Sequence, residues 1–436
     1  MKIKILFLLL PSLLLAQSYT QIIKSVNNSL TLKSAIQMQT AAQKLYESTK
    51  SKNYPTLDAS FTAFRLFQTP TITFYQGSHP VDTPMGTKNN FQGAISLKYP
   101  LFSGFAISGM IDQAKFQSKQ AKLKIENLRR NLYLNVTKLT VAITSIKKSL
   151  EAMQKAKEAT KKVLQKAQGF YSNGLIPPSE LYNIKAKKYQ IEANITELAL
   201  RQKQLLNQLS YILNTKIKSV ELPAISHIKL DKETLLQKAL NSREDIQALK
   251  AALKTNKAKV EIAKSSYYPS LILKAELKRQ GDTLKLNGNG YTNPDQSYVG
   301  ATFNWNLFNG MSDIKKVEAA KLKELAITTK LNDYKERVRQ EIENAFLELD
   351  ALRSKLKSAE METKAKEEYY KLTLGRFENQ LSSADELSRS IADLATAEAK
   401  NAIIQNKLFE QYQRILLLTN TDEFLTTNAI ISTKKH

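Results

Sequence analysis

The 436 residues predict a mainly α-helical chain built twice over, each copy joining a long helical hairpin to two β-strands suited to spanning a membrane. Three observations carry that prediction: breaker-free stretches with a seven-residue apolar repeat, an internal duplication, and pairs of segments in which apolar and polar side chains alternate. Gly (13) and Pro (11) are scarce, about half their usual share, which suits long helices better than a loop-built enzyme. Apolar residues make up 42% and charged residues 24%, so the chain can bury a core and is not a disordered tail.

The N-terminus comes first. Lys2 and Lys4 precede an apolar run from Ile5 to Leu15 that ends at Ala16, before Gln17. Residues 1–16 read as a secretory signal peptide, too short for a spanning helix. Cleavage is expected after Ala16, although Leu14 stands where a small residue is commoner. Export turns the formal charge of +25 away from nucleic acid. The lysines, interspersed with glutamates, read as solvated helix faces, with anionic lipid or lipopolysaccharide as a further contact. The absence of cysteine removes disulfides, thiolate metal sites, thiol nucleophiles and a lipid-anchoring cysteine. His79, His227 and His436 are far apart in sequence and in no metal-ligand spacing. No nucleophile–base set, carboxylate pair or phosphate loop stands out. The reading is a non-enzyme, with no catalytic, metal or cofactor-binding residues and no cofactor.

Neither Gly nor Pro interrupts Met110–Gln168, Ser179–Leu222, Ala224–Tyr268, Met311–Leu374 or Arg376–His436. The first and fourth of these, as continuous helices, reach about 90 Å. In the first, Ile125, Leu132, Leu139, Ile146 and Met153 recur every seven residues, with Val136, Ile143 and Leu150 interleaved. Leu331, Val338, Ala345, Leu352 and Ala359 do the same later, with Ile342, Leu349 and Leu356, and a third series is Ile184, Ile191, Leu198, Leu205 and Ile212. A seven-residue repeat makes a narrow seam for coiled-coil packing. The two heptad series lie 206 residues apart, and the same offset carries Tyr99–Gly104 onto Trp305–Gly310, Tyr171–Leu175 onto Phe377–Leu381, and Glu180-Leu181 onto Glu386-Leu387. Upstream the offset becomes 214, pairing Asn27 with Asn241 and Tyr54-Pro55 with Tyr268-Pro269. The expected organisation is a first repeat over 17–220 (β-hairpin 56–101, helical hairpin 105–213), a second over 221–422 (270–307 and 311–420), and a C-terminal tail over 423–436.

The remaining segments alternate. Leu57, Ala59, Phe61 and Ala63 share one parity, as do Phe91, Gly93, Ile95, Leu97 and Tyr99; in the second copy, Leu271, Leu273, Ala275 and Leu277, then Val299, Ala301, Phe303 and Trp305. Such period-two alternation marks half-buried or transmembrane strands. Lys98, Lys274, Glu276 and Lys278 fall on the opposite, inward parity. Gln68–Asn90 and Gln280–Gln296 read as polar loops, with Gly288-Asn289-Gly290 at a hairpin tip. Tyr54, Tyr99, Phe102, Tyr267, Tyr268, Trp305 and Phe308 gather at the helix-side strand ends, where amphipathic rings suit a membrane interface. Pro55, Pro100 and Pro269 mark the junctions. Four strands cannot close a membrane barrel, the smallest of which has eight, and open edges are excluded from lipid. If these strands span a membrane, several chains must therefore pool them.

This combination resembles the TolC-like outer-membrane efflux proteins, the outer membrane factors. Carrying the likeness are the Leu101-Phe102-Ser103-Gly104 and Leu307-Phe308-Asn309-Gly310 returns, the Tyr-Pro junctions, and the tips Asn173-Gly174-Leu175 with Glu180-Leu181 and Asn379-Gln380-Leu381 with Glu386-Leu387. The resemblance implies a homotrimer in the bacterial outer membrane, with a twelve-stranded barrel and a periplasmic α-helical tunnel. It implies a passive exit duct for an efflux or type I secretion system, docked to a periplasmic adaptor (membrane fusion) protein and an inner-membrane transporter. By motif position, Gly174, Leu175, Gln380 and Leu381 are the adaptor-docking tips, and Glu180, Asp385, Glu386 and Arg389 the periplasmic gate candidates. The second tip departs from the family pattern in having Gln380 for glycine and Ser382 for an arginine. A periplasmic coiled-coil adaptor or scaffold is the competing reading. It would show one helical hairpin flanked by β-rich domains, not two full copies with strands.

Overall fold

In the computed structural model, residues 17–223 and 230–433 are described; the expected signal peptide over 1–16, His227 and His436 lie outside them. A two-residue strand β1 (Gln17–Ser18) opens the chain, followed by helices α1 (Tyr19–Ser25) and α2 (Leu30–Lys50) and the strands β2 (Thr56–Arg65), β3 (Thr71–Gln76), β4 (His79–Pro84) and β5 (Asn89–Phe102). The first helical hairpin is α3 (Ala106–Ser172) and α4 (Pro178–Leu213). Then come β6 (Val220–Glu221), α5 (Lys232–Ser242), α6 (Glu244–Lys264), β7 (Ser270–Gly281) and β8 (Tyr298–Asn304). The second hairpin is α7 (Ser312–Glu378) and α8 (Ala384–Thr419), and α9 (Thr421–Thr433) ends the chain. No helix among the described residues is long and apolar enough to cross a membrane.

The duplication is carried to the residue. Both α3 and α7 have 67 residues and both α4 and α8 have 36, with every terminus 206 positions apart. The pair α2 and α6 have 21 residues each, 214 apart. At 1.5 Å per residue the 67-residue helices are about 100 Å long.

Two compact units cut across these repeats. One takes residues up to Met38, Lys122–Gln247 and everything from Asn332; the other takes Gln39–Ala121 and Ala248–Leu331. In the first, the heptad positions Val136, Leu139, Val338, Ala345, Leu352 and Ala359 are buried as their spacing requires. One cluster packs Tyr19, Val136, Ile143, Leu209, Leu213, Phe409, Leu417 and Phe424. Tyr19 also exchanges a 2.7 Å hydrogen bond with Thr137. Phe424, on α9, is fully buried and stacks on Tyr133 at 5.2 Å, and Asn428 one turn on is buried too, so the start of this helix packs on the core.

The breaker-free stretch from Ala224 to Tyr268 is not one helix. It breaks at Arg243, where the backbone turns extended (φ −58°, ψ 132°). The break serves a buried ionic cluster. Asp245 accepts from Arg130 at 2.5 Å, Arg243 at 3.1 Å and the Tyr334 hydroxyl at 2.8 Å, while Arg243 reaches Glu341 at 3.0 Å. Burial pushes the Asp245 carboxyl up, but Arg130, Arg243 and the Tyr334 hydrogen bond outweigh it and hold it below its ordinary value.

In the second unit, an antiparallel sheet runs β2-β5-β7-β8. Short 3₁₀ turns, Ser51–Asn53 and Ser265–Tyr267, lead into Tyr54 and Tyr268, both extended as a residue before proline must be. Gln68–Asn90 holds more than a loop: β3 and β4 pair as a separate hairpin with every strand residue exposed. Three prolines hide it from a period-two reading. At the return from strand to helix each copy sets two consecutive residues left-handed, Gly104-Phe105 and Gly310-Met311. A Cβ on Gly104 would lie 2.7 Å from the Ser265 carbonyl oxygen; one on Gly310 would meet nothing within 4 Å. Gly310→Ala should therefore cost only the left-handed penalty, about 1 kcal/mol, and Gly104→Ala distinctly more. Thermal unfolding of the two variants side by side checks the order.

Candidate functional site

Each hairpin tip closes with the same hydrogen bonds. After α3, the N–H of Gly174 bonds the Tyr171 carbonyl (3.0 Å) and that of Leu175 the Phe170 carbonyl (2.9 Å). After α7, Gln380 bonds Phe377 (3.0 Å) and Leu381 bonds Arg376 (2.8 Å). Both are Schellman caps, which need a left-handed residue at the turn. Gly174 supplies it with φ +71°, and Gln380 takes φ +61° despite its Cβ. Asn173 and Asn379 each donate from Nδ2 to a glycine carbonyl, Gly169 and Gly375, at 2.8 Å.

The two tips face each other across a cleft of about 380 Å³ lined by Phe170, Leu175, Ile176 and Glu180 from one and Phe377, Gln380, Leu381, Ser382, Ser383 and Ala384 from the other. Phe170 and Phe377 meet at 5.6 Å, and Lys166 pairs with Glu378 at 2.9 Å. Beneath lies an apolar core including Ala152, Ala156, Ala167, Ile184, Ile191, Leu387 and Ala395.

The acidic candidates differ in their surroundings. Ser383 caps α8 by accepting from the Glu386 N–H (3.1 Å). The Glu386 carboxylate accepts from the Ser382 hydroxyl at 2.6 Å and from Tyr369 at 3.2 Å. The Ser382 bond above all, then Tyr369 and the charge of Arg376, hold Glu386 below the usual carboxylate range. Asp385 is tied to Arg389 one turn on. Glu180, the counterpart of Glu386, has none of these partners, because Ile176, Pro177 and Val163 occupy the places of Ser382, Ser383 and Tyr369. Its Oε2 is buried without a hydrogen bond.

The sheet has two chemically opposite faces. Its register puts Leu57, Leu97, Ala275 and Val299 in one row and Tyr99, Leu273 and Ala301 in another on the same face. The other face carries Thr56, Lys98 and Lys274 in one row, Asp58, Ser96, Glu276 and Tyr298 in the next, then Ser60, Ala94 and Lys278. Lys98 pairs with Asp58 at 3.8 Å. The far edges of β2 and β8 meet no other strand in this sheet. At the helix-side end Tyr54, Tyr268, Trp305 and Phe308 are exposed, and Tyr99 and Phe102 half-buried. Phe105 sits edge-on to both Phe102 and Tyr268 at 5.3 Å, and Trp305 donates to the Tyr267 carbonyl at 3.3 Å.

The outer membrane efflux protein family model matches residues 22–215 and 235–421, most of both copies. The chain belongs to this family. No curated protein matches it in sequence. Among solved structures, the outer membrane protein VceC of Vibrio cholerae is 17% identical with a TM-score of 0.77, covering 92% of this chain and 96% of its own. The CmeC outer membrane channel of Campylobacter jejuni is 16% identical with a TM-score of 0.77, covering 92% and 85%. The open-state MtrE outer membrane channel of Neisseria gonorrhoeae is 17% identical with a TM-score of 0.70, covering 92% and 88%. These likenesses show the fold, mainly α with a β-barrel portion. Membership in the efflux family makes this a protein of the bacterial outer membrane.

Of the residues singled out in sequence, Leu175, Glu180, Gln380 and Leu381 come together at the cleft, while Gly174 shapes its turn from outside it. Asp385 and Arg389 meet each other, but neither bonds Glu386. Sequence reasoning missed Phe105, though it follows the Leu-Phe-Ser-Gly return directly, and missed Tyr369, whose only signal in the sequence is an aromatic residue near the tip. Two outcomes are expected. Gln380→Gly should relieve the left-handed strain and stabilise the protein by about 0.5–1 kcal/mol in denaturant unfolding. Because the fold lowers the Glu386 pKa, its stabilising contribution is present above the ordinary carboxylate value and is lost as pH falls through the lowered one. The gap in thermal midpoint between parent and Glu386→Gln should thus be open at pH 7 and close as pH drops below about 4.

Proposed function

We propose that the protein is the exit duct of a tripartite efflux or type I secretion system. Three copies pool their sheets into a twelve-stranded barrel, and substrate passes without energy input from the duct itself. The observation that supports this most directly is the four-stranded sheet, with an apolar face for lipid, a lysine-bearing face for water and two free edges. An antiparallel sheet with an even strand count lets β8 of one copy meet β2 of the next in antiparallel sense. The apolar row then faces hydrocarbon, Lys98, Lys274, Glu276 and Lys278 line the bore, and Tyr54, Tyr99, Phe102, Tyr268, Trp305 and Phe308 lie at the membrane interface.

The hairpin tips are the entrance. Gly174, Leu175, Gln380 and Leu381 meet a periplasmic adaptor, which links the duct to an inner-membrane transporter. Glu180, Asp385, Glu386 and Arg389 form the gate. Glu386 and Asp385 are already tied within their own chain, whereas the Glu180 carboxylate has a buried oxygen without a partner and is the less restrained of the acidic groups.

Sizing after detergent extraction of outer membranes tests the assembly: a trimer is expected, and a monomer in the soluble periplasmic fraction would refute it. In planar bilayers, Glu180→Ala with Glu386→Ala should raise single-channel conductance, with Glu180→Ala accounting for most of the rise. Unchanged conductance would remove both from the gate.

A further inference from the structure

A ladder of ion pairs ties α7 to α8, and one rung of it carries like charges. Glu362 meets Lys400 at 2.7 Å and Glu348 meets Arg414 at 2.6 Å. Midway between these two pairs, seven residues from each along both helices, the ladder has Lys355 on α7 and Lys407 on α8. Two cations there repel where the neighbouring rungs attract. Neither lysine takes part in an ion pair among the described residues. The shared backbone does not demand the arrangement, since Ser149 and Arg201 hold the equivalent positions of the first repeat.

Both lysines line a cleft of about 740 Å³ between α3, α7 and α8, and Lys138 lines it from α3. Its acids are Glu348, already held by Arg414, and Glu410. Burial pushes the Glu410 carboxyl up, with Glu348 adding to the effect, against the pull of Lys138, Lys407 and Arg414. Three lysines against this one acid leave a surplus of two positive charges. Leu134, Ala351 and Leu352 supply an apolar wall, and Asn131 and Asn135 supply amides. The volume lies within the range of small-molecule sites, about 300–1,000 Å³.

We propose that this cleft binds a small organic dianion, a dicarboxylate or a phosphate monoester, which completes the rung between Lys355 and Lys407 with Lys138 as its third contact. Two negative charges match the surplus, and the carbon skeleton meets the apolar wall. Its place in transport rests on the duct reading. On α8 the buried Leu408, Tyr412 and Ile415 turn away from the cleft, so in a duct the cleft opens on the bore and the dianion is cargo in transit. Lys138, Lys355 and Lys407 are all exposed. Their attraction is that of solvated charges, screened by salt and weak enough to release what it holds.

Thermal unfolding of the full chain in detergent tests the site, with o-phthalate and inorganic phosphate as probes and benzoate at matched ionic strength as the monovalent control. Phthalate should raise the midpoint, because a ligand bound only by the folded state stabilises it, and benzoate should raise it less. Lys355→Glu completes the rung with Lys407, so it should raise the midpoint without ligand and weaken phthalate binding about ten-fold or more. Lys407→Gln should weaken binding too, whereas Lys357→Glu, the same charge change outside the cleft, should not. Phthalate should bind more tightly than inorganic phosphate, since only phthalate meets the apolar wall; the reverse order would overturn the organic assignment. No phthalate shift, or equal shifts in the parent and Lys355→Glu, would overturn the site. In planar bilayers, phthalate should reduce the potassium chloride current through the parent and leave that of Lys355→Glu unchanged. A channel whose current phthalate does not touch would overturn the cargo assignment with the duct intact. A protein that forms no channel would instead overturn the duct.

Discussion

An unpaired backbone N–H or C=O in hydrocarbon costs several kcal/mol, and the sheet of this protein ends in two rows of them. The far edges of β2 and β8 carry no strand. Neither face can serve as a globular core. The apolar rows of Leu57, Leu97, Ala275 and Val299 need a nonpolar neighbour, and the rows holding Lys98, Lys274 and Lys278 need water. Lipid outside, solvent inside and further strands at both edges satisfy all three demands together. Every residue of β2 is exposed in the single chain, the state expected of a strand whose neighbours belong to other molecules and to the membrane.

The helices answer a different demand. In a folded protein most of a helix's stability comes from tertiary packing of one face rather than from propensity. Here that face is the heptad seam, and the duplication keeps its backbone register while letting side chains diverge. Glu180 and Glu386 show how far the divergence goes. Both stand in the first turn after a tip, yet one is bonded by Ser382 and Tyr369 and the other keeps a buried oxygen without a partner. Two copies of one backbone thus hold equivalent carboxylates in two settings, one hydrogen-bonded and one buried without a partner.

Much of this was legible in the residues. The offset of 206 and the heptads located both helical hairpins because coiled-coil seams write their period directly into the sequence. Alternation located β2, β5, β7 and β8, since one-sided burial has a period of two. The β3–β4 hairpin was not legible: Pro80 and Pro84 lie within β4, and proline belongs on edge strands without ladder donors. At the tips, the chain positions of the candidates could be read, but not their bonds. Tyr369 reaches Glu386 from 17 residues upstream, across the hairpin turn. Gln380 reads as a departure from glycine, yet the backbone keeps the glycine conformation, because the Schellman bonds of the tip fix φ more strongly than the side chain resists.

The break at Arg243 was hidden for a related reason. Nothing in Asn241-Ser242-Arg243-Glu244-Asp245 forbids a helix, and the cause lies 115 residues away, where Arg130 on α3 needs the Asp245 carboxylate. Burying such ions is a poor source of stability, since apolar replacements of similar volume are often as good or better. What the cluster supplies is registry. Asp245 accepts from α3, from Arg243 and from Tyr334 on α7, and Arg243 extends the link to Glu341. These bonds form together only when α5 ends and α6 begins at that residue. A slip of one residue would leave at least one guanidinium buried and unpaired, a loss of about 3–5 kcal/mol. A hydrophobic seam of repeating heptads can slide by seven with little complaint. An ionic cluster at one point along it cannot, and that is the physical reason for such a cluster among helices this long.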